Sequence, residues 1–97
     1  SKWLRYPLPS DRGLVAGEVE VAHGGYDVAS GLADPNRLLP VDALRQLERE
    51  RVIGALLSGY YVTCGNHGIL EDMARYAREI AADLRAQRVD GVLLVAT

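Results

Sequence analysis

The sequence predicts an α/β domain built on a three-layer open sheet, mostly parallel and Rossmann-like, that a companion chain completes. Three observations predict it. The segment Val92-Leu93-Leu94-Val95-Ala96 is apolar at every position, the pattern of a strand covered on both faces in a parallel sheet. The stretch before it carries apolar residues at helical spacing, the mark of a helix lying on such a sheet. Strand-like and helix-like segments alternate along the chain, an order that builds parallel sheets. Its 97 residues suffice for one domain with a small core, so partner chains are expected from the outset.

Residues 1–16 hold Pro7, Pro9, Ser10, Asp11 and Gly13 among scattered apolar side chains and read as an extended arm packed on a neighbour. Residues 17–97 read as the α/β domain, itself the N-terminal part of a larger one. Within it, Gly17-Glu18-Val19-Glu20-Val21-Ala22 alternates polar and apolar residues, the period of a half-buried strand. Gly24 and Gly25 break that strand just after His23. Residues 24–39 have no sustained period and read as a loop, long for so small a domain.

Pro40-Val41-Asp42 opens a helix, because proline suits a first turn and an acid suits its positive end. Val41, Leu44 and Leu47 form its apolar stripe, while Arg45, Glu48, Glu50 and Arg51 are expected to face outward. Residues 52–57 are apolar but too short a run to assign. Tyr60-Tyr61-Val62-Thr63 has strand propensity and ends in the turn Cys64-Gly65-Asn66-His67-Gly68. The strongest helix follows. Leu70, Met73, Ala77, Ile80, Ala81 and Leu84 share one face, with Glu71, Asp72, Arg75, Arg78, Glu79 and Asp83 off it. The pairs Glu71–Arg75 and Arg75–Glu79 are spaced to support each other. Asp90-Gly91 then turns the chain into the apolar strand that stops at Thr97.

Composition excludes several classes. With 13 acids against 11 bases and a net charge of −2, the chain lacks the basic footprint of a nucleic-acid module. No apolar run approaches the roughly 20 residues that a bilayer requires. A 48% hydrophobic content is too high for a disordered chain. Cys64 has no partner for an internal disulfide, which points to a reducing, cytoplasmic setting. The N-terminus has neither a secretion signal nor a starting Met, as expected of a chain that is processed, trimmed or part of a larger gene product.

In an open parallel sheet, ligands bind beyond the carboxyl ends of the strands. The three expected strands end at His23, Cys64 and Thr97, so a parallel arrangement gathers an imidazole, a thiol and the chain terminus along one edge. Each residue has a plainer reading. His23 continues the alternation of Val19 and Val21 and also reads as a core histidine. Cys64 reads either as a small buried hydrophobe or, beside a helix start, as a reactive thiol. His23, Cys64 and His67 together number three zinc-type ligands, as a metal-dependent lyase or hydrolase would need, but no second cysteine cluster accompanies them. The glycines after His23 lack dinucleotide spacing, so no nucleotide cofactor is expected. Tyr60 and Tyr61 read as packing residues, and Asp34 and Asp42 as turn and helix-start residues.

Several stretches, in order, resemble the selenoprotein B family of glycine, sarcosine, betaine and D-proline reductases. They are Asp34-Pro35-Asn36-Arg37-Leu38-Leu39-Pro40, then Val41-Asp42-Ala43-Leu44-Arg45-Gln46-Leu47, then Val52-Ile53-Gly54. Tyr60-Tyr61-Val62-Thr63-Cys64-Gly65 and Val89-Asp90-Gly91-Val92-Leu93-Leu94 complete the series, and His23 falls where the family has a histidine. The resemblance covers residues 17–97. It departs at Tyr60, where the family more often has His, and at Leu39, where an aromatic is commoner.

The resemblance implies reductive cleavage of a C–N, or similar carbon–heteroatom, bond in a small amino-acid-like substrate. It implies that the redox cysteine, selenocysteine or pyruvoyl group comes directly after Thr97, on a companion chain of a hetero-oligomer. Covalent chemistry of that kind needs an ionised nucleophile and a proton donor. His23 is the expected donor, with Tyr61 second; Cys64 and Thr97 complete the expected catalytic set. Asp34, Asn36, Tyr60 and His67 are the expected substrate-binding residues. The rival reading is a non-catalytic, partner-binding α/β subunit.

Overall fold

The computed structural model describes residues 3–21, 27–63 and 69–96. The chain divides into two units, one of Ser1–Pro7 with Gly59–Leu94 and one of Leu8–Ser58 with Val95–Thr97.

In the first unit, strand β1 (Trp3–Pro7) pairs antiparallel with β2 (Gly59–Thr63), in the register Trp3↔Thr63, Arg5↔Tyr61 and Pro7↔Gly59. Alternation along the strands puts Leu4 and Tyr6 with Val62 and Tyr60 on one face, and Trp3 and Arg5 with Tyr61 on the other. The Tyr6 and Tyr60 rings lie 5.6 Å apart. Opposite Pro7 only glycine fits, since a Cβ on Gly59 would come 2.9 Å from the Tyr6 carbonyl oxygen.

A 17-residue helix, Leu70–Ala86, follows β2, with Glu71 and Asp72 in its first turn and Arg85 in its last, matched to the helix dipole. Its buried residue is Tyr76. Leu70, expected on the apolar face, is 83% exposed, and Ala77 is exposed as well. Arg75 pairs with Asp72 at 3.3 Å rather than with Glu71 or Glu79. The helix is turned toward Tyr76, Glu79, Asp83 and Gln87 because the Trp3 indole and the Tyr61 hydroxyl, carried by the strands, need acceptors.

In the second unit, helix α1 (Ala29–Ala33) runs into the 3-10 turn Pro35–Arg37, and α2 (Val41–Arg49) follows. The 17-residue helix of the first unit is thus α3. Leu14, Pro35 and Val41 are buried, and so is Arg45, which is only 5% exposed. Arg45 was expected to face outward; instead it donates to Glu48 at 2.9 Å and to the Pro9 carbonyl. The Glu48 carboxylate also accepts from the Leu56 N–H at 2.6 Å. Two stretches of backbone packed beside α2 present polar groups that need partners, and this ion pair supplies them.

Both α2 and α3 end in the same way. Val52 N–H reaches the Leu47 carbonyl and Arg51 N–H the Glu48 carbonyl; Val89 and Arg88 repeat this with Leu84 and Arg85. These are Schellman closures, with Arg51 (φ 61°) and Arg88 (φ 57°) in the left-handed position that glycine usually takes.

Among the described residues the architecture is therefore a two-stranded antiparallel sheet with three helices, and the expected three-layer, mostly parallel, Rossmann-like sheet is not formed among them. Of the three expected strands only the middle one pairs within a sheet among the described residues, and it pairs with the segment read as an arm. Gly17 (φ +89°) sits in a tight turn closed by Glu18 N–H to the Val15 carbonyl at 3.0 Å, so the alternation beginning there starts inside a turn. Val19 makes only an isolated bridge to Ala16. Residues 92–96 belong to no sheet. A period-two pattern specifies which face a strand would bury, but a strand exists only where a partner backbone lies alongside. Among the described residues no helix is long and apolar enough to cross a membrane.

Candidate functional site

The described structure brings the expected site residues together in two pairs, one in each unit. His23, Cys64, His67 and Thr97 lie outside the described residues. The common edge that was to gather His23, Cys64 and Thr97 required three parallel strands, and the described chain has one antiparallel pair.

The first pair is Asp34 and Asn36. Pro35 fixes the backbone angle that opens the 3-10 turn. Asp34 caps that turn by accepting the Asn36 N–H at 3.1 Å and the Asn36 amide Nδ2 at 2.9 Å. Asn36 in turn reaches across to the N-terminal part of the unit. Its Oδ1 accepts from the Leu14 N–H at 2.9 Å and the Asp42 N–H at 3.1 Å, and its Nδ2 donates to the Leu14 carbonyl at 2.8 Å. The approach is close: a Cβ on Gly13 would come 2.7 Å from the Asp42 Cβ and 2.8 Å from the Asn36 Oδ1, which is why glycine stands there. The two Asn36 bonds and the nearby Arg37 charge hold the Asp34 carboxyl below its ordinary pKa. The amide of Asn36 is filled by the chain's own groups.

The second pair is Tyr60 and Tyr61, neighbours in sequence that alternate to opposite faces of the sheet. Burial, with Tyr6 alongside, raises the Tyr60 phenol above its ordinary pKa, so it remains a neutral hydroxyl near pH 7. Tyr61 sits in a polar cluster on the α3 side. Its hydroxyl donates to the Asp83 carboxylate and accepts from Gln87 Nε2 at 3.1 Å. Gln87 also donates to Asp83 at 3.1 Å and accepts from Arg5 at 3.3 Å. The Arg5 guanidinium lies 5.8 Å from the centre of the Tyr61 ring. Trp3 packs 5.7 Å from that ring and donates its indole N–H to Glu79 at 3.0 Å. This arrangement holds a hydroxyl between a carboxylate and an amide.

Sequence reasoning missed Trp3, Arg5, Asp83 and Gln87. A signal was present: Glu79, Asp83 and Gln87 are spaced by four along one helix, a row of hydrogen-bonding groups on a single face. Among the described residues no three His, Cys, Asp or Glu side chains converge as a metal would need.

Comparison with known proteins adds a family. Residues 1–97 match the family described as glycine/sarcosine/betaine reductase selenoprotein B. A glycine reductase complex component B subunit gamma from Symbiobacterium thermophilum is 46% identical over 97 residues, which is all of this chain and 23% of the relative. A betaine reductase complex component B subunit beta from Peptoclostridium acidaminophilum is 36% identical over 97 residues, again all of this chain and 22% of the relative. A D-proline reductase subunit gamma from Acetoanaerobium sticklandii is 33% identical over 93 residues, or 92% of this chain and 36% of the relative. The chain thus spans under a quarter of the first two relatives. No solved structure matches it.

Proposed function

Because the chain belongs to the glycine/sarcosine/betaine reductase selenoprotein B family, we propose that it forms part of a subunit of a reductase complex acting on small amines. The single observation that carries this reading is the family match along all 97 residues. The substrates in the names of the relatives support a narrower chemistry. Glycine, betaine, sarcosine and D-proline all carry nitrogen on the carbon next to a carboxylate. The reaction class common to them is reductive cleavage of that C–N bond. The nitrogen leaves with the bonding pair and takes up a proton, the carbon gains a C–H bond in its place, and a dithiol oxidised to a disulfide supplies the two electrons and two protons.

A cysteine, selenocysteine or pyruvoyl group, on sequence beyond these residues or on a companion chain, would supply the nucleophile or electron sink. Residues 92–96, expected to present it, are exposed and in no sheet, so the described residues build no seat for such a group. The chain's own contribution is to shape the Asp34–Asn36 loop and to offer protons, with His23 as donor and Tyr61 as the second candidate.

The test uses the assembled complex containing this chain, supplied with a dithiol and with each of the four amines in turn. Cleavage of the C–N bond of at least one of them is expected, read as a released amine or, for D-proline, as the ring-opened amino acid. His23→Ala should abolish cleavage while leaving the unfolding midpoint unchanged. Cleavage of none of the four overturns the reductase reading, and equal loss of activity and stability makes His23 a core residue.

A further inference from the structure

Strands β1 and β2 pair although residues 8–58 lie between them in the chain. No tight turn joins them, so the usual device that fixes the register of an antiparallel pair does not act here. The strand sequences specify the register weakly as well. Tyr60 and Tyr61 are neighbours, so a slip of β2 by one residue would put one tyrosine in the place of the other.

The flanks of both strands are held by one ion pair. Arg45, buried in α2, donates to the carbonyl of Pro9, which lies just beyond the end of β1. Its partner Glu48, at 2.9 Å, accepts at 2.6 Å from the N–H of Leu56, which lies just before β2. Between these grips and the strands, the Leu8 N–H reaches the Ser58 carbonyl at 2.9 Å, one step beyond the Pro7↔Gly59 rung. All of these contacts belong to the second unit, and the covalent chain carries them into the ladder of the first. Desolvation makes a buried charge a poor source of net stability, and the best-attested use of such a group is to fix a register.

We infer that Arg45 and Glu48 form a clasp that sets the register of β1 against β2, and so decides which tyrosine meets Asp83 and Gln87. Arg45 fixes where the first strand leaves the ladder, and Glu48 fixes where the second enters it. Closing so long a loop costs chain entropy, and α2, within that loop, holds both of its ends at once. The clasp is independent of the reaction proposed above.

The test uses the assembled complex containing this chain, with Cys64→Ser throughout and cysteines introduced in two combinations. Leu4→Cys and Val62→Cys are opposed in the native register. Leu4→Cys and Thr63→Cys lie on opposite faces and become opposed only after a slip of one residue. A short thiol-bridging reagent is added, and the bridged peptides are measured by mass. Before any change at α2, the first combination should bridge and the second should not. Glu48→Met and Glu48→Gln both remove the charge at similar size, but only glutamine keeps an oxygen for the Leu56 N–H. In Glu48→Met the ratio of native to slipped bridging should fall at least about tenfold, and in Glu48→Gln it should stay within about threefold of the parent. Arg45→Met should behave as Glu48→Met does. Amide exchange in α2 is the folding control and should stay slow in every variant. Unchanged bridging in Glu48→Met or in Arg45→Met, equal loss in Glu48→Met and Glu48→Gln, fast exchange in α2, or no native bridging in the parent would each overturn the clasp.

Discussion

The amide of Asn36 holds both backbone groups of Leu14, accepting its N–H at 2.9 Å and donating to its carbonyl at 2.8 Å. This pairing imitates one rung of a strand ladder with a single side chain. It ties the segment around Leu14, N-terminal to α1, to the loop that follows α1, and the same Oδ1 reaches the Asp42 N–H at the start of α2. The loop geometry around Asp34 therefore depends on one residue.

Asn36→Ala should accordingly cost more than an ordinary surface substitution. It removes four side-chain hydrogen bonds and leaves part-buried Leu14 groups without partners. With each bond contributing about 1 kcal/mol net, a loss of about 2–4 kcal/mol is expected. Urea unfolding at constant slope checks this; a midpoint equal to the parent's would show that the pairing stabilises nothing.

Acid should weaken the fold through two carboxylates. Asp34 is held below its ordinary 3.8, chiefly by hydrogen bonds from Asn36, and Glu48 below 4.5 by the Leu56 N–H and Arg45. Both folded-state values are depressed, so the unfolded chain takes up protons first. Their stabilisation is complete above about pH 4.5 and disappears as pH falls through the lowered folded values. Asp34→Asn should flatten the acid limb of a stability–pH curve. An unaltered limb would mean that Asp34 gains nothing from its bonds.

Tyr61→Phe separates a structural hydroxyl from a working one. The Gln87–Asp83 bond at 3.1 Å survives the change, so stability should fall by only about 1 kcal/mol. With His23 as the proton donor, kcat of the complex should drop less than about tenfold, against at least about a hundredfold for His23→Ala. The reverse ranking would move the donor role to Tyr61.

Arg51→Gly and Arg88→Gly should stabilise the protein. Each arginine occupies a left-handed position closing a helix, a conformation costing an L-residue about 1–2 kcal/mol. The extra chain entropy of glycine offsets part of that gain, leaving about 0.5–1 kcal/mol per site. Thermal unfolding of the single variants and the double variant measures it. Destabilisation would instead assign the arginine charges a larger favourable interaction with the helix ends.

How legible each feature was depended on how local its cause is. The ordered stretches Asp34 to Leu47, Val52 to Gly54, Tyr60 to Gly65 and Val89 to Leu94 carried the family, which matches along residues 1–97. Val41–Arg49 and Leu70–Ala86 were visible as helices because their apolar period lies within the helix itself. The burial of Arg45 was not visible, because it is caused by the Pro9 carbonyl and by a carboxylate shared with Leu56. The orientation of α3 was hidden for the same reason: the groups that turn it, Trp3 and Tyr61, sit on strands at distant points in the chain.

By itself, then, the order of residues determined α2, α3, the middle strand and the family, since these follow from neighbours a few positions apart, while α1 and the 3-10 turn lie where a loop was expected. Only the tertiary structure decided that Trp3–Pro7 is the strand facing Gly59–Thr63, that the two run antiparallel, and that residues 92–96 join no sheet among the described residues. Strand pairing is a contact between distant segments, and an alternating or apolar run carries no record of which backbone will lie beside it.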